Sequence, residues 1–368
     1  MKKILYLMEY PLDLPGGAQL STEMIASALA LHPEYGYESV VICPELLNRD
    51  EADYPFRILT YPMTEKRFPN LLRRIKAFKK YISGEKPDLI HIEMSESLIT
   101  YGFIMGSFRD IPYIYTDRGM YFGYRKRSRF FMDPVLKNAK CMITTTDRNK
   151  ELWEANTSFG PVITVPNTIS TLFETYDEGK KKRGGRFTIG FAGRICVEKD
   201  WGKVPLIIKA LNDEGLDFDV KLVLSLYEKG DREFADDLRN DITRSIGDER
   251  LDYREDLSQE EMSDFYYGVD LFIMTSVFES FGKAAVEAMS RRCTVMSTNV
   301  GGLPEVIGRE ENLYSMEDLS KLTGYVKRVS EDMEMLLSEQ EYFYNRYHEL
   351  FTSEAYVRNH LRIYGENT

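Results

Sequence analysis

The sequence predicts an α/β protein built from two doubly wound parallel-sheet domains, and three observations carry that expectation. Short apolar runs of strand length alternate with segments whose apolar residues recur at helical spacing, the pattern of a parallel sheet covered by helices. At 368 residues the chain exceeds what one core ordinarily holds. A polar and charged stretch from Thr171 to Gly185, ending K-K-K-R-G-G, separates two series of such units and reads as a linker.

In the first series, Ile4 to Met8 is a short buried strand, and Leu20, Met24, Ile25, Ala28 and Leu29 place an apolar face on a helix that runs to Leu31. Between them lies Pro15-Gly16-Gly17-Ala18, a tight turn or, at the start of a helix, a potential anion site. Strands follow at Ser39 to Cys43, Asp88 to Ile92, Tyr113 to Thr116 and Cys141 to Thr145, with a helix from Asn70 to Ile82. Ligands of open α/β sheets sit beyond the carboxyl ends of the strands. That rule singles out Gly16-Gly17, Glu93 and Thr116-Asp117-Arg118-Gly119.

Two basic segments of this half invite a surface role. Leu71, Leu72, Ile75, Phe78 and Ile82 share one side of a helix, with Arg73, Arg74, Lys76, Lys79 and Lys80 around the other. Such a helix either lies on an anionic membrane or packs on the core with a solvated basic face. Tyr121 to Phe131, Y-F-G-Y-R-K-R-S-R-F-F, interleaves aromatic and basic residues, a mixture suited to stacking on a sugar, to anchoring at a lipid headgroup, or to closing a loop over the core.

In the second series, Phe187 to Ala192 is a buried strand followed by Gly193-Arg194 and then Lys199. An arginine fork and a lysine point charge just beyond a strand end can together neutralise a diphosphate. Val220 to Leu224 and Asp270 to Thr275 are further strands, the latter leading into Ser276 to Glu305. That stretch sets Glu279 and Glu287 on either side of Phe281-Gly282, where a loop hands over to a helix, and continues to a second glycine turn at Gly301-Gly302. The unpaired N–H groups and dipole of a glycine-opened helix favour an anion, and a phosphorylated ligand is expected there.

Composition narrows the chemistry. A net charge of −11 argues against wholesale nucleic-acid binding. Four scattered cysteines without a C-x-x-C pair form neither a disulfide framework nor a zinc site, the usage of a reducing compartment. The apolar run at the N-terminus stops at Glu9 without a cleavage site, and no segment has the length of a membrane span, so a cytoplasmic protein is expected. Asp217-Phe218-Asp219 fits a metal-binding D-x-D but precedes a strand, as a solvated turn would. His32, His91, His348 and His360 lack ligand spacing, and there is neither a P-loop nor a G-x-S-x-G elbow. No cofactor and no metal are expected.

In their joint order and spacing, Gly16-Gly17, Val165-Pro166-Asn167, Gly193-Arg194 with Lys199, Ser276, Glu279 with Glu287, and Val300-Gly301-Gly302-Leu303-Pro304-Glu305 resemble a known family. It is the retaining, nucleotide-sugar-dependent glycosyltransferases of the GT-B fold, family-4 type (glycosyl transferases group 1). The resemblance implies two Rossmann-like domains facing a central cleft. Residues 1–168 with 351–368 would form the acceptor-side domain, 169–185 the linker, and 186–350 the donor-binding domain. It implies that Arg194 and Lys199 bind the donor diphosphate and stabilise it as it leaves, and that Glu279 faces the donor sugar. The Ser280, Phe281, Gly282 and Lys283 segment lies near sugar and phosphate, Glu287 holds the ribose hydroxyls, and Gly16, Gly17 and Gly193 approach the donor. Glu93 and Arg118 fall on the acceptor or sugar side, and Tyr253 and Arg254 in a wall of the base pocket.

The same resemblance implies transfer of a sugar, most simply from a UDP-sugar, to a glycan or lipid-linked acceptor in bacterial surface polysaccharide synthesis, with peripheral association at the inner face of an anionic membrane. One position departs from the pattern: Arg118 stands where many relatives carry histidine. An arginine offers no neutral acceptor but binds phosphate or an acidic sugar. This leaves open an altered donor, a noncatalytic homologue acting as a partner subunit, or another sugar-nucleotide chemistry such as epimerisation.

Overall fold

The computed structural model describes residues 1–14, 16–64, 67–181 and 184–368; Pro15 of the first glycine turn and Lys182 and Arg183 of the expected linker lie outside the described residues. The chain divides into two compact units, one of Met1–Thr168 with Ser353–Thr368 and the other of Ile169–Thr352.

The first unit runs β1 (Lys2–Leu7), α1 (Gly17–Leu31), β2 (Tyr37–Pro44), β3 (Arg57–Tyr61), α2 (Arg67–Glu85), β4 (Leu89–Glu93), α3 (Ser95–Gly102), β5 (Tyr113–Asp117), α4 (Lys126–Leu136), β6 (Met142–Thr144), α5 (Asp147–Asn156) and β7 (Val162–Thr164). Its sheet is parallel, in the order β3-β2-β1-β4-β5-β6-β7. Alternation along β1 builds both layers. Ile4, Tyr6 and Met8 join Met24, Ile25 and Leu29 of α1 on one face, and Leu5 and Leu7 join Phe78, Ile82, Leu98 and Tyr101 on the other.

Two strands of this sheet, β3 and β7, escape the periodicity reading, so Thr116-Asp117 closes the fifth strand, where four had been expected by that point. In α2, Arg74 does not belong to the solvated basic face: it is 5% exposed and donates to Glu96 at 2.9 Å, whereas Leu72 is 53% exposed. Arg74 shares the helical spacing of Leu71 and Phe78, and so turns inward with them.

The second unit runs β8 (Phe187–Arg194), α6 (Val204–Asp213), β9 (Phe218–Ser225), α7 (Asp231–Ile246), β10 (Leu251–Glu255), α8 (Gln259–Tyr267), β11 (Leu271–Met274), α9 (Lys283–Ser290), β12 (Thr294–Thr298), α10 (Leu303–Ile307), β13 (Leu313–Tyr314), α11 (Ser320–Glu331) and α12 (Met333–Leu350). Its parallel sheet has the order β10-β9-β8-β11-β12-β13. Over its described residues, the segment read as a linker packs on this unit. Phe173 is fully buried, and the buried Arg291 holds it by donating to the carbonyls of Leu172 (2.7 Å) and Phe173 (2.8 Å) and to Ser263 Oγ (2.9 Å).

The chain then returns to the first unit as α13 (Ser353–Asn367). Tyr364 of α13 shares a hydrogen bond of 2.9 Å with Tyr6, and its hydroxyl also meets His91 Nδ1 at 2.9 Å. Burial, with Arg118 nearby, lowers the His91 pKa to about 3, so the ring is neutral and its 3.7 Å approach to Glu93 is no ion pair.

Candidate functional site

Strand order reverses direction once in each sheet, between β8 and β11 in the second unit and between β1 and β4 in the first. The loops after such a pair of strands diverge and leave a crevice. In the second unit these loops are Ile195–Lys203 and Thr275–Gly282, which carry Lys199 and Glu279.

The two loops are bolted to each other and to their neighbours. Thr275 Oγ1 donates to the Lys199 carbonyl (2.6 Å), and the Val277 N–H to the Glu198 carbonyl (2.9 Å). Thr298 Oγ1 at the end of β12 donates to the Ser276 carbonyl (2.6 Å). The Gly302 N–H donates to the Glu279 carbonyl (2.9 Å). Gly301 is what permits that last approach: its φ is +54°, and a Cβ there would stand 1.8 Å from the Glu279 carbonyl oxygen. The second glycine turn is thus the backing of the glutamate loop.

Within this frame, Lys199 Nζ lies 2.6 Å from Glu279 Oε2, both side chains 19% exposed. Gly193 has a φ of +154°, which favours glycine, and a Cβ there would only touch Lys199 Cε at 3.7 Å and Trp201 at 3.4 Å. Gly282, at φ +98°, caps α9, and a Cβ on it would strike Leu303 at 2.6 Å. One turn into α9, Glu287 accepts the Tyr266 hydroxyl at 3.1 Å. Burial raises its pKa to about 7 against the pull of Tyr266, Lys283 and Lys199. Glu279 thus lies beside Gly282 at the α9 N-terminus and pairs with Lys199, and Lys199 is near enough to Glu287 to pull its pKa down, an arrangement suited to a ligand with an anionic centre and hydroxyls.

The other expected residues of this unit are placed variously. The Arg194 side chain is exposed and makes no hydrogen bond or ion pair among the described residues; its carbonyl accepts the Trp201 indole N–H at 2.9 Å. Phe281 is buried edge-on against Phe351, so it anchors the loop with its ring, while Ser280 and Lys283 are partly exposed. Tyr253 and Arg254 sit on the edge strand β10, with the Tyr253 hydroxyl on Glu255 (2.6 Å) and Arg254 forked onto Asp252 (3.0 and 3.1 Å). The sequence reading passed over the turn beyond them, where Asp256, at φ +48°, accepts the Leu226 N–H at 2.8 Å and joins the β9 and β10 loops beside the exposed Tyr227. An aspartate directly after a strand was the available signal.

In the first unit, Glu93 and Arg118 turn toward each other. Arg118 grips Glu93 with Nε at 3.0 Å and Nη2 at 2.9 Å, and reaches Asn167 Oδ1 (3.2 Å) and the Tyr356 hydroxyl (3.0 Å). The Glu93 side chain is fully buried and that of Arg118 is 9% exposed, so the pair is an internal tie. Gly16 caps α1, where a Cβ would collide with Gln19, and Gly17 opens the helix. Sequence reasoning also missed Glu9, just past β1. It is 5% exposed and accepts the Glu96 (2.6 Å) and Ser97 (3.0 Å) N–H groups at the start of α3. Burial, with the Glu96 charge, raises its pKa to about 7.

Among the described residues no cluster of carboxylates, histidines and cysteines could hold a metal, and no helix is long and apolar enough to cross a membrane. The D-x-D carboxylates Asp217 and Asp219 are both engaged by Arg186, at 2.8 and 3.0 Å.

Two parallel-sheet α/β units, of seven and six strands, form a GT-B fold. The likeness extends over whole chains: sucrose-phosphate synthase from Thermosynechococcus elongatus superposes with a TM-score of 0.80 at 18% identity, covering 100% of this chain and 99% of that one. Anabaena HepE, solved with UDP and glucose, gives 0.79 at 17% identity with both chains fully covered. Two family models match in succession, Glycosyltransferase Family 4 over residues 15–171 and Glycosyl transferases group 1 over 186–332, and the chain belongs to this glycosyltransferase family. Among curated relatives, 2-deoxystreptamine glucosyltransferase of Streptomyces kanamyceticus is 31% identical over 163 residues, 44% of this chain and 40% of that protein. The GPI3 subunit of phosphatidylinositol N-acetylglucosaminyltransferase of Saccharomyces cerevisiae is 25% identical over 285 residues, 73% of this chain and 60% of that protein. The chain thus spans about half the length of these relatives.

Proposed function

We propose that this chain transfers a sugar, with retention, from a nucleoside-diphosphate sugar to a glycan or lipid-linked acceptor in the assembly of a bacterial surface polysaccharide or glycoconjugate. The observation that carries the reading is the convergence of Lys199, Glu279 and Glu287 on the N-terminus of α9. Family membership and the UDP-bound structure of a similar fold support it and favour a UDP donor.

Cleaving a sugar–diphosphate bond leaves negative charge on the diphosphate and positive charge on the sugar. In this reading Lys199, Arg194 and the first N–H groups of α9 take up the former charge, and Glu279 offsets the latter. Glu287 accepts the ribose hydroxyls. The departing phosphate takes the acceptor proton, so Glu279 acts by charge and position. Because protein cations neutralise the diphosphate, no metal is required. Residues of the first unit hold the acceptor, and the protein works on the cytoplasmic side, peripherally at the membrane.

The test is donor hydrolysis and transfer across UDP-, GDP- and ADP-sugars in EDTA, with Lys199→Ala and Glu287→Ala as controls. Turnover with at least one donor, lost in both variants, is the expected result. Wild-type inactivity with every donor, together with no nucleotide binding by calorimetry, would overturn it in favour of a noncatalytic partner subunit.

A further inference from the structure

Helix α1 begins without a side-chain cap: Gly16 is its N-cap and Gly17 its first residue. Two successive glycines leave the backbone free to turn in many ways, so side chains from elsewhere have to fix this turn. One helical turn on, Ser21 is fully buried, and its hydroxyl stands 2.7 Å from the Gly17 carbonyl. The same hydroxyl is 2.5 Å from Asn167 Oδ1, which ties the first turn of α1 to the segment that follows β7.

Arg118 reaches Ser21 by two arms. Its Nη1 donates to Asn167 Oδ1 at 3.2 Å, where the Thr168 N–H also arrives at 3.2 Å. Two donors on that oxygen keep the amide with its acceptor, and not its NH2 group, toward Ser21. Nη2 donates to the Tyr356 hydroxyl at 3.0 Å, and that hydroxyl is hydrogen-bonded to Ser21 in turn. The guanidinium itself is held still, because Nε and Nη2 are forked onto Glu93. Ser21, Glu93, Tyr356 and Asn167 are all buried, and hydrogen bonds shielded from water in this way are the stronger for it.

We infer that Arg118 is a positioning residue for sugar transfer, acting through Asn167, Tyr356 and Ser21 to fix the Gly16-Gly17 turn. Its guanidinium works through these neighbours and not on the substrate. The inference rests on the transferase reading and on the family pattern, which expects this turn at the donor.

Arg118→Ala strands Glu93 and unsettles the fold, so the test cuts the relay further along, with Ser21→Ala, Asn167→Ala and the double variant. Each is assayed with a donor that the wild type turns over, well below its own melting temperature. In each single variant kcat is expected to fall about ten- to a hundredfold, the effect of a displaced catalytic segment. The double variant falls no further than the worse single one, because both changes cut the same relay. Affinity for the nucleoside diphosphate of that donor, read by calorimetry, stays at the wild-type level, since Lys199, Glu279 and Glu287 belong to the second unit. Asn167→Asp keeps an acceptor oxygen for Ser21 and Arg118 and recovers most of the turnover. Wild-type kcat in either alanine variant, even with lowered melting, would overturn the inference and leave the network a structural tie alone. Multiplied losses in the double variant, nucleotide affinity falling in step with kcat, or no recovery in Asn167→Asp would overturn it too. A wild type that turns over no donor defeats the transferase reading and this inference with it, whereas alanine variants as active as an active wild type defeat the inference only.

Discussion

Lys199 and Glu279 lie eighty residues apart in the sequence and 2.6 Å apart in the fold. The pair is accessible on both sides, and partly exposed pairs of this kind add no more than about 1 kcal/mol to stability. In the proposed reaction a donor separates them, and each partner faces one of the charges that develop. Lys199→Ala is therefore expected to leave the melting temperature within a few degrees of wild type while lowering donor turnover by about two to three orders of magnitude. A melting scan beside a hydrolysis assay checks both halves.

Gly301 offers a sharper test of the loop frame. Alanine there meets the Glu279 carbonyl at 1.8 Å and has to adopt a positive φ. Gly301→Ala is expected to displace Glu279, cutting activity at least tenfold and costing about 1–3 kcal/mol of stability. Gly202→Ala, with open space around its Cβ, is the control and should melt and turn over as the wild type does.

Glu9 and Glu287 both have folded-state pKa values of about 7, above the ordinary 4.5. Between those limits the folded chain binds more protons than the unfolded one, so stability falls as pH rises from about 4.5 to 7 and stays low above it. In the proposed reading donor affinity runs the other way, because ionised Glu287 is the better acceptor for ribose hydroxyls. Melting temperature is expected to fall and donor affinity to rise between pH 6 and pH 8. Glu9→Gln flattens the first trend alone, and Glu287→Gln flattens both. Calorimetric melting and titration at three pH values separate them.

The Glu93–Arg118 tie predicts a structural phenotype. Arg118→Ala strands a fully buried carboxylate, a loss of about 3–5 kcal/mol. Arg118→Lys restores charge without the fork and recovers only part of it. Chemical denaturation measures both.

The parts of the fold legible in the sequence were those written in apolar periodicity. Strands β1, β8 and β11 each contain an apolar run, Ile4–Leu7, Ile189–Ala192 and Leu271–Met274, and that is what made them readable. What stayed hidden depends on side chains that meet only after folding. Glu93 and Arg118 each follow a strand as ligand residues do, but β4 and β5 are neighbours in the sheet, so the two charges find each other first. The 169–185 stretch reads as a linker because its polar residues outnumber its apolar ones, yet one phenylalanine and the distant Arg291 attach it to the second unit. Arg74 was legible in principle: its spacing from Phe78 puts it on the inward face, and its charge alone suggested otherwise.

Arg118 binds Asn167, immediately before the chain leaves the first unit, and Tyr356, just after it returns. The N-terminal unit therefore cannot complete its interior from N-terminal sequence. Until α13 has been synthesised, Arg118 lacks its tyrosine and Tyr6 and His91 lack Tyr364. The unit whose residues are the first to leave the ribosome thus waits for α13 before its interior is complete.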